Sequence, residues 1–307
     1  MHDHNHKHSH AHHHHGPSHA IKPNRAFIIG IILNLGYVVL EVVYGVLNHS
    51  LALLTDAGHN LGDVAGLGLS LLAFGLAKVK ATDVYTYGYK KTTILAALLN
   101  SMILMIGVGI IGYEAIIRIQ HPEIVPGGVI AWVAALGIVV NGTSALLFFR
   151  DKDHELNTRG AYLHMLTDAA VSMGVVISGI IIIYTHWYIL DSIISILVIL
   201  VILRGTWSLM TDSFRLSLDA VPANVDINKV IIKAERVAGV KGFHHIHIWA
   251  MSTTENALTA HLVVENNLGN QQLTQIKNDL KHQLQHLNIQ HITLETEFQN
   301  EDCNPDC

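Results

Sequence analysis

Six long apolar runs restrict the possible folds of this chain more than any other feature. They lie near residues 26–47, 51–77, 94–117, 127–149, 161–185 and 188–210. Each reaches the roughly 20 residues that a helix needs to cross the hydrocarbon core of a bilayer. Only 14% of the 307 residues are charged and the mean hydropathy is +0.36, which is unusual for a soluble domain. The sequence therefore predicts an α-helical membrane protein with six transmembrane helices.

Lysine and arginine are distributed unevenly among the loops that join these runs. The loops near 48–50 and 185–188 contain neither residue, and the loop at 118–127 contains only Arg118. The other loops and flanking segments carry Lys22, Arg25, Lys78, Lys80, Lys90, Lys91, Arg150, Lys152, Arg159, Arg204 and Arg215. The positive-inside rule predicts from this pattern that both termini are cytosolic. Because we recognise no cleavable signal peptide or organelle signal, we expect a multi-pass protein of the bacterial inner membrane, that is, the plasma membrane.

The N-terminal segment is rich in histidine. Residues 2–19 hold ten histidines, interleaved with polar residues and alanine. Such a composition leaves little apolar surface to bury, so residues 1–21 are predicted to be a disordered, His-rich cytosolic tail. Its imidazoles would bind Zn2+, Ni2+ or Cu2+ weakly. An expression tag is the alternative, but tags usually carry an unbroken hexahistidine, so the interleaved pattern favours native sequence.

The last third of the chain has the composition of a small soluble domain. Helical patterns at 225–238 and 271–287 alternate with strand patterns at 242–249, 256–265 and 290–298. The order α-β-β-α-β predicts a compact, open-faced α/β sandwich. We therefore predict a transmembrane domain at 22–212, a cytosolic α/β domain at 213–299 and a tail at 300–307. The tail contains Cys303 and Cys307, which could form a metal clip or a redox pair, or be dispensable.

Two of the apolar runs carry the same polar spacing. In the second run His59 precedes Asp63 by four residues, and in the fifth His164 precedes Asp168 by four residues. On a helix this separation places both side chains on one face, one turn apart. Charged residues inside a membrane are costly and persist where they have a function. A duplicated motif in two separate spans therefore favours a metal site over helix packing. Asp56 lies on the same face as His59 and is predicted to support the site without binding the ion directly.

The chemistry of these four side chains indicates the ion and its coupling. Two neutral imidazoles and two carboxylates match a tetrahedral Zn2+ site, and the carboxylates neutralise the charge of the ion in a low-dielectric interior. Metal binding requires neutral histidine and ionised aspartate, so loading releases protons and protonation expels the metal. A site of this kind that opens alternately to the two sides is a metal/proton antiporter.

The whole pattern resembles the cation diffusion facilitator family. The resemblance rests on the six spans, the paired His-x3-Asp motifs, the His-rich segment and the α/β domain. It is supported by the segments Thr86–Lys91, Leu218–Pro222 and His244–Trp249. With histidine as the first ligand in the second span, the chain is most similar to the zinc-exporting branch of that family. The resemblance implies a divalent-cation efflux transporter, most simply a Zn2+/H+ antiporter that exports zinc from the cytosol.

The same resemblance implies further properties of the cytosolic domain. It would be ferredoxin-like, would form a homodimer and would bind regulatory zinc through His244, His261 and Glu297. Glu295 or a residue of the tail is a possible further ligand, and His245 and His247 are alternatives. Satisfied core histidines explain the same residues equally well. Some relatives bind metal in the loop after the second span, but Tyr85 and Tyr89 occupy the corresponding positions here.

Lys91 and Asp219 are both expected at the cytosolic membrane edge. We predict that they form an ion pair between the transmembrane and cytosolic parts, the alternative being two independently solvated charges. Because the basic residues are scattered, no nucleic-acid partner is expected. The expected partners are Zn2+, H+ and the lipid bilayer, with Zn2+ as the transported and regulatory ion and no other cofactor.

Three functional alternatives remain at this stage. The first is an exporter of broader specificity for Cd2+, Co2+ or Ni2+. The second is a membrane-anchored metal storage or sensor protein built on the His-rich tail and the α/β domain. The third is an intramembrane zinc enzyme, which is disfavoured because catalytic zinc keeps an open coordination position and neither motif has a neighbouring glutamate base. We therefore expect a transporter and not an enzyme.

Overall fold

Six long helices account for most of the structure, which is a computed structural model describing residues 25–148, 156–266 and 268–299. The histidine-rich N-terminal segment, Cys303 and Cys307 lie outside the described residues. The helices are α1 (Arg25–Leu47), α2 (Leu51–Ala77), α3 (Thr92–Gln120), α4 (Gly127–Phe148), α5 (Leu156–Thr185) and α6 (Ile189–Ser217). The six predicted spans therefore correspond to six helices.

The helices have the length and hydropathy of membrane spans. Within the described residues, α2 to α6 each contain a segment long and apolar enough to cross a bilayer, and Ile32–Leu47 of α1 is a shorter apolar segment. Apolar side chains such as Leu72 and Trp132 point outward and are exposed, as expected where a helix faces lipid. The prediction of a helical membrane protein is confirmed.

Helices α1, α2, α4 and α5 pack around a common interior, whereas α3 and α6 pair with each other beside α2. The apolar core of the first group includes Tyr37, Leu53, Ile130 and Ile182. Helices α4 and α5 approach closely at two glycines. A Cβ atom added to Gly179 would lie only 2.7 Å from the backbone oxygen of Gly127. Small residues at such crossings let transmembrane helices come into backbone contact.

Helix α6 continues past the predicted end at residue 210 and stops at Ser217. The chain leaves the helix at Asp219, whose φ of 59° lies in the left-handed region and ends the helical hydrogen bonding. The apolar pattern predicted only the part of this helix that faces the membrane. The polar continuation carries the chain to the C-terminal domain.

The C-terminal domain is a mixed sheet covered on one face by two helices. Its elements are α7 (Ile227–Glu235), β1 (Val240–Ala250), β2 (Asn256–Val264), α8 (Asn270–Gln285) and β3 (His291–Phe298). The strand order is β1-β2-β3, with β1 and β2 antiparallel and β2 and β3 parallel. Leu258, Leu262, Leu280 and Leu284 are fully buried between sheet and helices. This confirms the predicted α-β-β-α-β sandwich and leaves the other face of the sheet open.

Among the described residues, four contacts join the C-terminal domain to the loop before α3 and to the first turn of that helix. The Lys91 ammonium lies 2.6 Å from the Asp219 carboxylate, which confirms the predicted ion pair. Lys90 forms a second ion pair with Glu255, and the Thr253 backbone N–H donates to Thr93 Oγ1 at 3.0 Å. The rings of Tyr87 and His291 meet edge to face, with 5.3 Å between their centroids. The tip of the β1–β2 hairpin is therefore fixed to the start of α3.

Candidate metal centre

The four residues of the paired His-x3-Asp motifs meet between α2 and α5. His59 and Asp63 lie one turn apart on α2, and His164 and Asp168 lie one turn apart on α5. One donor atom from each of the four side chains lies within 4.8 Å of all the others. The spacing in the sequence thus places two pairs of donors on facing helices, as predicted.

The donors alternate between nitrogen and oxygen. His59 Nε2 lies 3.6 Å from Asp63 Oδ2 and 3.4 Å from Asp168 Oδ1. His164 Nε2 lies 3.0 Å from Asp63 Oδ2 and 3.6 Å from Asp168 Oδ2. With metal–ligand bonds near 2.0–2.2 Å, the donors of a tetrahedral Zn2+ site are separated by about 3.3–3.6 Å. Three of the four nitrogen–oxygen separations lie near that value and the fourth is 3.0 Å, so the arrangement suits a small tetrahedral dication.

The Asp168 carboxylate is the deepest and least satisfied member of the group. Its side chain is 1% exposed. Within the described part of the chain, neither of its oxygens accepts a hydrogen bond, and the Nδ1 atom of His59 also lacks a partner. A buried carboxylate without a partner is strongly unfavourable unless a cation or a proton neutralises it. This combination is what a cation-binding site requires.

The four donor side chains differ in their exposure to solvent. The side chains of His164 and Asp63 are 40% and 28% exposed, whereas those of His59 and Asp168 are 18% and 1% exposed. His164 and Asp63 lie toward the start of α5 and the end of α2, the same end of the bundle as the Lys91–Asp219 contact. The more exposed pair therefore lies toward the end of the membrane domain that carries the C-terminal domain, and the more buried pair lies toward the other end.

Asp56 lies outside this group of four donors. It is 1% exposed and accepts a hydrogen bond from Ser172 Oγ at 3.2 Å. Asp56 lies about one turn before His59 on α2. Other buried polar residues of α1 and α2 are Tyr37, Glu41 and Asn60. Its predicted position beside the site, and not among the donors, agrees with this geometry.

Glu41 was not identified from the sequence. It is fully buried and accepts a hydrogen bond from Asn60 Nδ2 at 3.1 Å. The available signal was a lone carboxylate within the first apolar run, because an ionisable residue inside a membrane span is by default a functional candidate. No repeated spacing accompanies it, so its contact with Asn60 becomes visible only when α1 packs on α2.

A second group of possible ligands lies on the open face of the C-terminal sheet. His244 of β1 is paired with His261 of β2, and Glu297 lies on the neighbouring strand β3. Glu297 Oε2 lies 3.1 Å from His244 Nε2, and its other carboxylate oxygen contacts His261 Nδ1. His261 Nε2 lies 3.5 Å from Glu295 Oε2. The donors of His244, His261 and Glu297 all lie within 4.8 Å of one another.

The electrostatics of Glu297 follow from these contacts. Burial raises the pKa of the carboxyl group, but the hydrogen bond from His261 and the charges of His244 and His261 outweigh that effect. The pKa of Glu297 therefore lies below its usual range. The group is held as a carboxylate, the form that binds a metal ion.

An irregularity in β1 determines which histidines reach this group. The register with β2 shifts between His244 and His247, and His245 has a φ of 48° in the left-handed region. The extra residue bends the strand as a β-bulge does. As a result the His245 ring centroid lies 4.9 Å from that of His261, while His247 is paired with Thr259 and exposed. His245 therefore neighbours the group, and His247 lies away from it.

The comparison with known proteins agrees with both parts of the structure. Residues 27–216 match the model of the cation efflux transmembrane domain. Residues 222–298 match the model of the cation efflux protein cytoplasmic domain. The two matched segments coincide with the helical bundle and the α/β domain described above.

Curated bacterial relatives align over nearly the whole chain. A cadmium, cobalt and zinc/H(+)-K(+) antiporter of Bacillus subtilis is 36% identical, covering 94% of this chain and 96% of the relative. The metal cation efflux system protein CzcD of Cupriavidus metallidurans is 36% identical, covering 89% and 86%. The zinc transporter ZitB of Escherichia coli is 37% identical over the same shares. The chain therefore belongs to the cation efflux family, the cation diffusion facilitators, which are multi-pass membrane transporters and not enzymes.

Proposed function

We propose that this protein exports Zn2+ from the cytosol in exchange for H+, and that His59, Asp63, His164 and Asp168 bind the transported ion. The observation that carries the proposal is the Asp168 carboxylate, 1% exposed and without a hydrogen bond. Three further donors surround it at separations that suit a tetrahedral ion. The nearest nitrogen atoms, His59 Nε2 and His164 Nε2, lie 3.4 and 3.6 Å from its two oxygens and make no hydrogen bond to them, whereas a structural network would satisfy its deepest acceptor.

The donor set favours Zn2+ and supplies the coupling. Imidazole nitrogen and carboxylate oxygen are both good ligands for Zn2+. All four side chains bind protons in competition with the metal. When the site faces the compartment of higher proton concentration, protonation of the histidines and aspartates weakens metal binding and releases the ion. Proton uptake and metal release therefore share the same side chains.

The orientation and assembly follow from the same argument. The more exposed pair of donors, His164 and Asp63, lies toward the end that carries the basic loops and the C-terminal domain, which we place in the cytosol. The protein then lies in the bacterial inner membrane with both termini cytosolic.

The cytoplasmic-domain match supports assembly as a homodimer. We further propose that His244, His261 and Glu297 bind a regulatory Zn2+ ion, with Glu295 within reach as a fourth ligand.

Transport by the purified protein in proteoliposomes tests the proposal. Uptake of Zn2+ should be driven by an imposed pH gradient and abolished in Asp63→Ala and Asp168→Ala. Asp212→Asn is a matched control, because this carboxylate lies on α6, is exposed and is not part of the donor group. Uptake by either site variant at the wild-type rate would overturn the assignment of the site.

Broader metal specificity is the second candidate. One relative is named for cadmium, cobalt and zinc and for exchange with H+ and K+. The proteoliposome measurement should therefore be repeated with Cd2+, Co2+ and Ni2+ and with an imposed K+ gradient. If Zn2+ is transported fastest and a pH gradient alone is sufficient, the result supports the zinc/proton proposal. A higher rate for another metal, or a requirement for K+, favours the broader exporter.

A further inference from the structure

The end of the membrane domain opposite the C-terminal domain, which we call the outer end, contains a buried carboxylate that caps another helix. Asp191 lies in the first turn of α6 and is 2% exposed. It accepts hydrogen bonds from Ser50 Oγ at 2.6 Å and from the Leu51 backbone N–H at 2.6 Å. The Ala52 N–H donates to the same carboxylate at 3.4 Å. A residue of α6 therefore satisfies the first N–H groups of α2, which have no partner within their own helix.

This cap is more extensive than the start of a helix requires. Ser50 is the N-cap residue of α2, and its hydroxyl oxygen accepts a hydrogen bond from the Leu53 N–H at 3.3 Å. Serine alone is among the best N-cap residues. Asp191 is 140 positions away in the sequence and adds a negative charge at the positive end of the helix dipole. Its carboxylate therefore fixes α6 to α2, which the local cap does not do.

A second charged residue holds the same end of α2 from α3. The Arg118 side chain is 13% exposed, and its Nη1 atom donates to the backbone carbonyl of His49, in the segment between α1 and α2. The guanidinium also lies 2.9 Å from Glu114 Oε1 and 3.2 Å from Glu123 Oε2. These two carboxylates fix the orientation of the planar donor group. The outer end of α2 is therefore bound to α3 as well as to α6.

These contacts join two parts of the membrane domain. Helices α1, α2, α4 and α5 surround a common interior, whereas α3 and α6 pair with each other beside α2. Asp191 and Arg118 belong to the α3–α6 pair, and the groups that they reach in the other part belong to α2 and the segment before it. The two parts are thus fastened to each other at the outer end by a buried carboxylate and a nearly buried guanidinium.

The position of the metal donors relates this end to transport. The more exposed donors, His164 and Asp63, lie toward the C-terminal domain, and the more buried pair lies toward the outer end. We propose that Asp191 and Arg118 are positioning residues that form an outer latch. They hold α2 against α3 and α6 while the donors are exposed toward the C-terminal domain, and they release α2 when the ion leaves at the outer end. This inference rests on the proposed export of Zn2+.

The chemistry of the latch allows it to open. A buried carboxylate that loses its partners is strongly destabilising as long as water is excluded. If the outer end opens, water enters and replaces the protein groups as hydrogen-bond partners of Asp191 and of the first N–H groups of α2. Separation of the helices and entry of water therefore occur together. The latch favours the closed outer end without preventing the open one.

Thiol labelling measures opening of the outer end without any transport or metal. Thr55 is 2% exposed, lies one turn inside the capped end of α2, and shares a helix face with Gly62, which packs on α3. In a background of Cys303→Ser and Cys307→Ser, Thr55→Cys in lipid nanodiscs should react slowly with a water-soluble maleimide. Adding Asp191→Asn should raise the rate at least about fivefold, because an open state populated to 10% or less becomes a major state.

Matched variants distinguish a latch from general loosening. Val175→Cys, at a fully buried position of α5 in the interior shared with α1, α2 and α4, should stay slow when Asp191→Asn is added. Asp212→Asn makes the same change at an exposed carboxylate of α6 and should leave the labelling of Thr55→Cys unchanged.

Arg118 gives an independent test and serves if Asp191→Asn does not fold. Arg118→Gln should raise the labelling of Thr55→Cys as Asp191→Asn does, and Arg118→Lys, which keeps a charged donor, should restore much of the slow labelling. Unchanged labelling in both Asp191→Asn and Arg118→Gln would overturn the proposal. An equal rise at Val175→Cys would overturn it as well.

Transport kinetics separate the latch from a merely structural cap. A variant that populates the open outer end offers the donors to the cytosol in fewer molecules, so its apparent KM rises as that fraction falls. Asp191→Asn should raise the KM for cytosolic Zn2+ about threefold to tenfold. The equilibrium Kd in detergent, where both ends are accessible, should stay within about threefold of wild type.

An equal loss of affinity in both measurements would show that Asp191 supports the donors themselves and would overturn the latch. If wild-type protein moves no Zn2+, the proposed export fails, and the labelling of Thr55→Cys still decides whether Asp191 and Arg118 close the outer end.

Discussion

His164 Nε2 lies 3.0 Å from Asp63 Oδ2, across the gap between α5 and α2. It is the shortest contact among the four metal donors and joins the two most exposed members of the group. The helices that hold it have few other contacts with each other. The four donor side chains therefore make a large share of the described contacts between α2 and α5. A second described hydrogen bond between these helices runs from Ser172 Oγ of α5 to Asp56 Oδ2 of α2, at 3.2 Å.

The first prediction concerns metal selectivity. Replacing His59 with aspartate changes the donors from two imidazoles and two carboxylates to one imidazole and three carboxylates. The harder, more negative set should weaken Zn2+ binding and favour Mn2+ or other large cations. We expect the Zn2+ Kd of His59→Asp to rise at least about tenfold, which is about 1.4 kcal/mol. Calorimetry with both metals measures this change.

The control for this experiment is His49→Asp, since His49 lies between α1 and α2 outside the donor group. It should retain the wild-type preference. A His59→Asp variant with unchanged Zn2+ affinity would show that His59 does not bind the transported ion.

The second prediction concerns the Lys91–Asp219 ion pair. Its side chains are 43% and 57% exposed, so the pair should contribute no more than about 1 kcal/mol to stability. Its effect should appear in the coupling between domains, because it links the start of α3 to the segment after α6. We expect Lys91→Glu to lower the transport rate several-fold with little change in melting temperature.

The double variant Lys91→Glu/Asp219→Lys restores opposite charges and should recover most of the rate in the same proteoliposome assay. If Lys91→Glu alone transports normally and forms stable dimers, the ion pair has no functional role.

The third prediction is a pH dependence at Glu297. Because its folded-state pKa is lowered by His261 and His244, the ionised group stabilises the fold at pH values above its unfolded pKa of about 4.3. That contribution is lost as the pH falls through the lowered pKa of Glu297 in the folded protein. The contribution is therefore fully present only above about pH 4.3. Glu297→Gln should therefore melt at a lower temperature than wild type within this window.

Thermal unfolding of the metal-free full-length protein, followed from pH 7 to pH 3 in detergent, measures the difference. The two melting curves should converge at the acidic end. Glu265→Gln provides a control on the same domain, since that carboxylate pairs with Lys241 away from the histidines. A Glu297→Gln difference that does not change with pH would contradict the electrostatic explanation.

Much of the fold could be predicted because its determinants are local. The length of an apolar run decides whether a helix crosses a membrane, and a four-residue spacing decides which side chains share a helix face. His59 and Asp63, and likewise His164 and Asp168, are therefore placed by their own helices. Their meeting required only that α2 and α5 be neighbours. The duplicated motif indicated that they are.

Other features depend on packing between distant segments. Glu41 accepts a hydrogen bond from Asn60 because α1 lies against α2, and no periodicity within α1 specifies that partner. The strand pattern of β1 predicted regular alternation, but the extra residue between His244 and His247 shifts the register and turns His245 toward His261. A bulge leaves no signature in the apolar pattern. The continuation of α6 to Ser217 was missed for a related reason, since its last two turns are too polar to resemble a membrane span.

The fourth prediction separates the two candidate metal sites by counting bound ions. If the membrane donors and the group of His244, His261 and Glu297 each hold one Zn2+, wild-type protein should bind two ions tightly per chain. His261→Ala should remove only the cytosolic ion, and Asp168→Asn only the transported one, because the two groups share no ligand. Deleting residues 2–19 in every variant prevents the histidine-rich segment from obscuring the count.

Equilibrium dialysis with elemental analysis gives the number of ions, and His282→Ala, an exposed residue of α8, is the matched control. His261→Ala should still transport Zn2+, with an altered dependence on cytosolic zinc, since a regulatory site acts on the transporter without carrying its cargo. Loss of all transport on deleting residues 2–19 would favour metal storage over export. If His261→Ala binds as many ions as wild type, the histidines of the sheet are stabilised by Glu297 alone and no metal binds there.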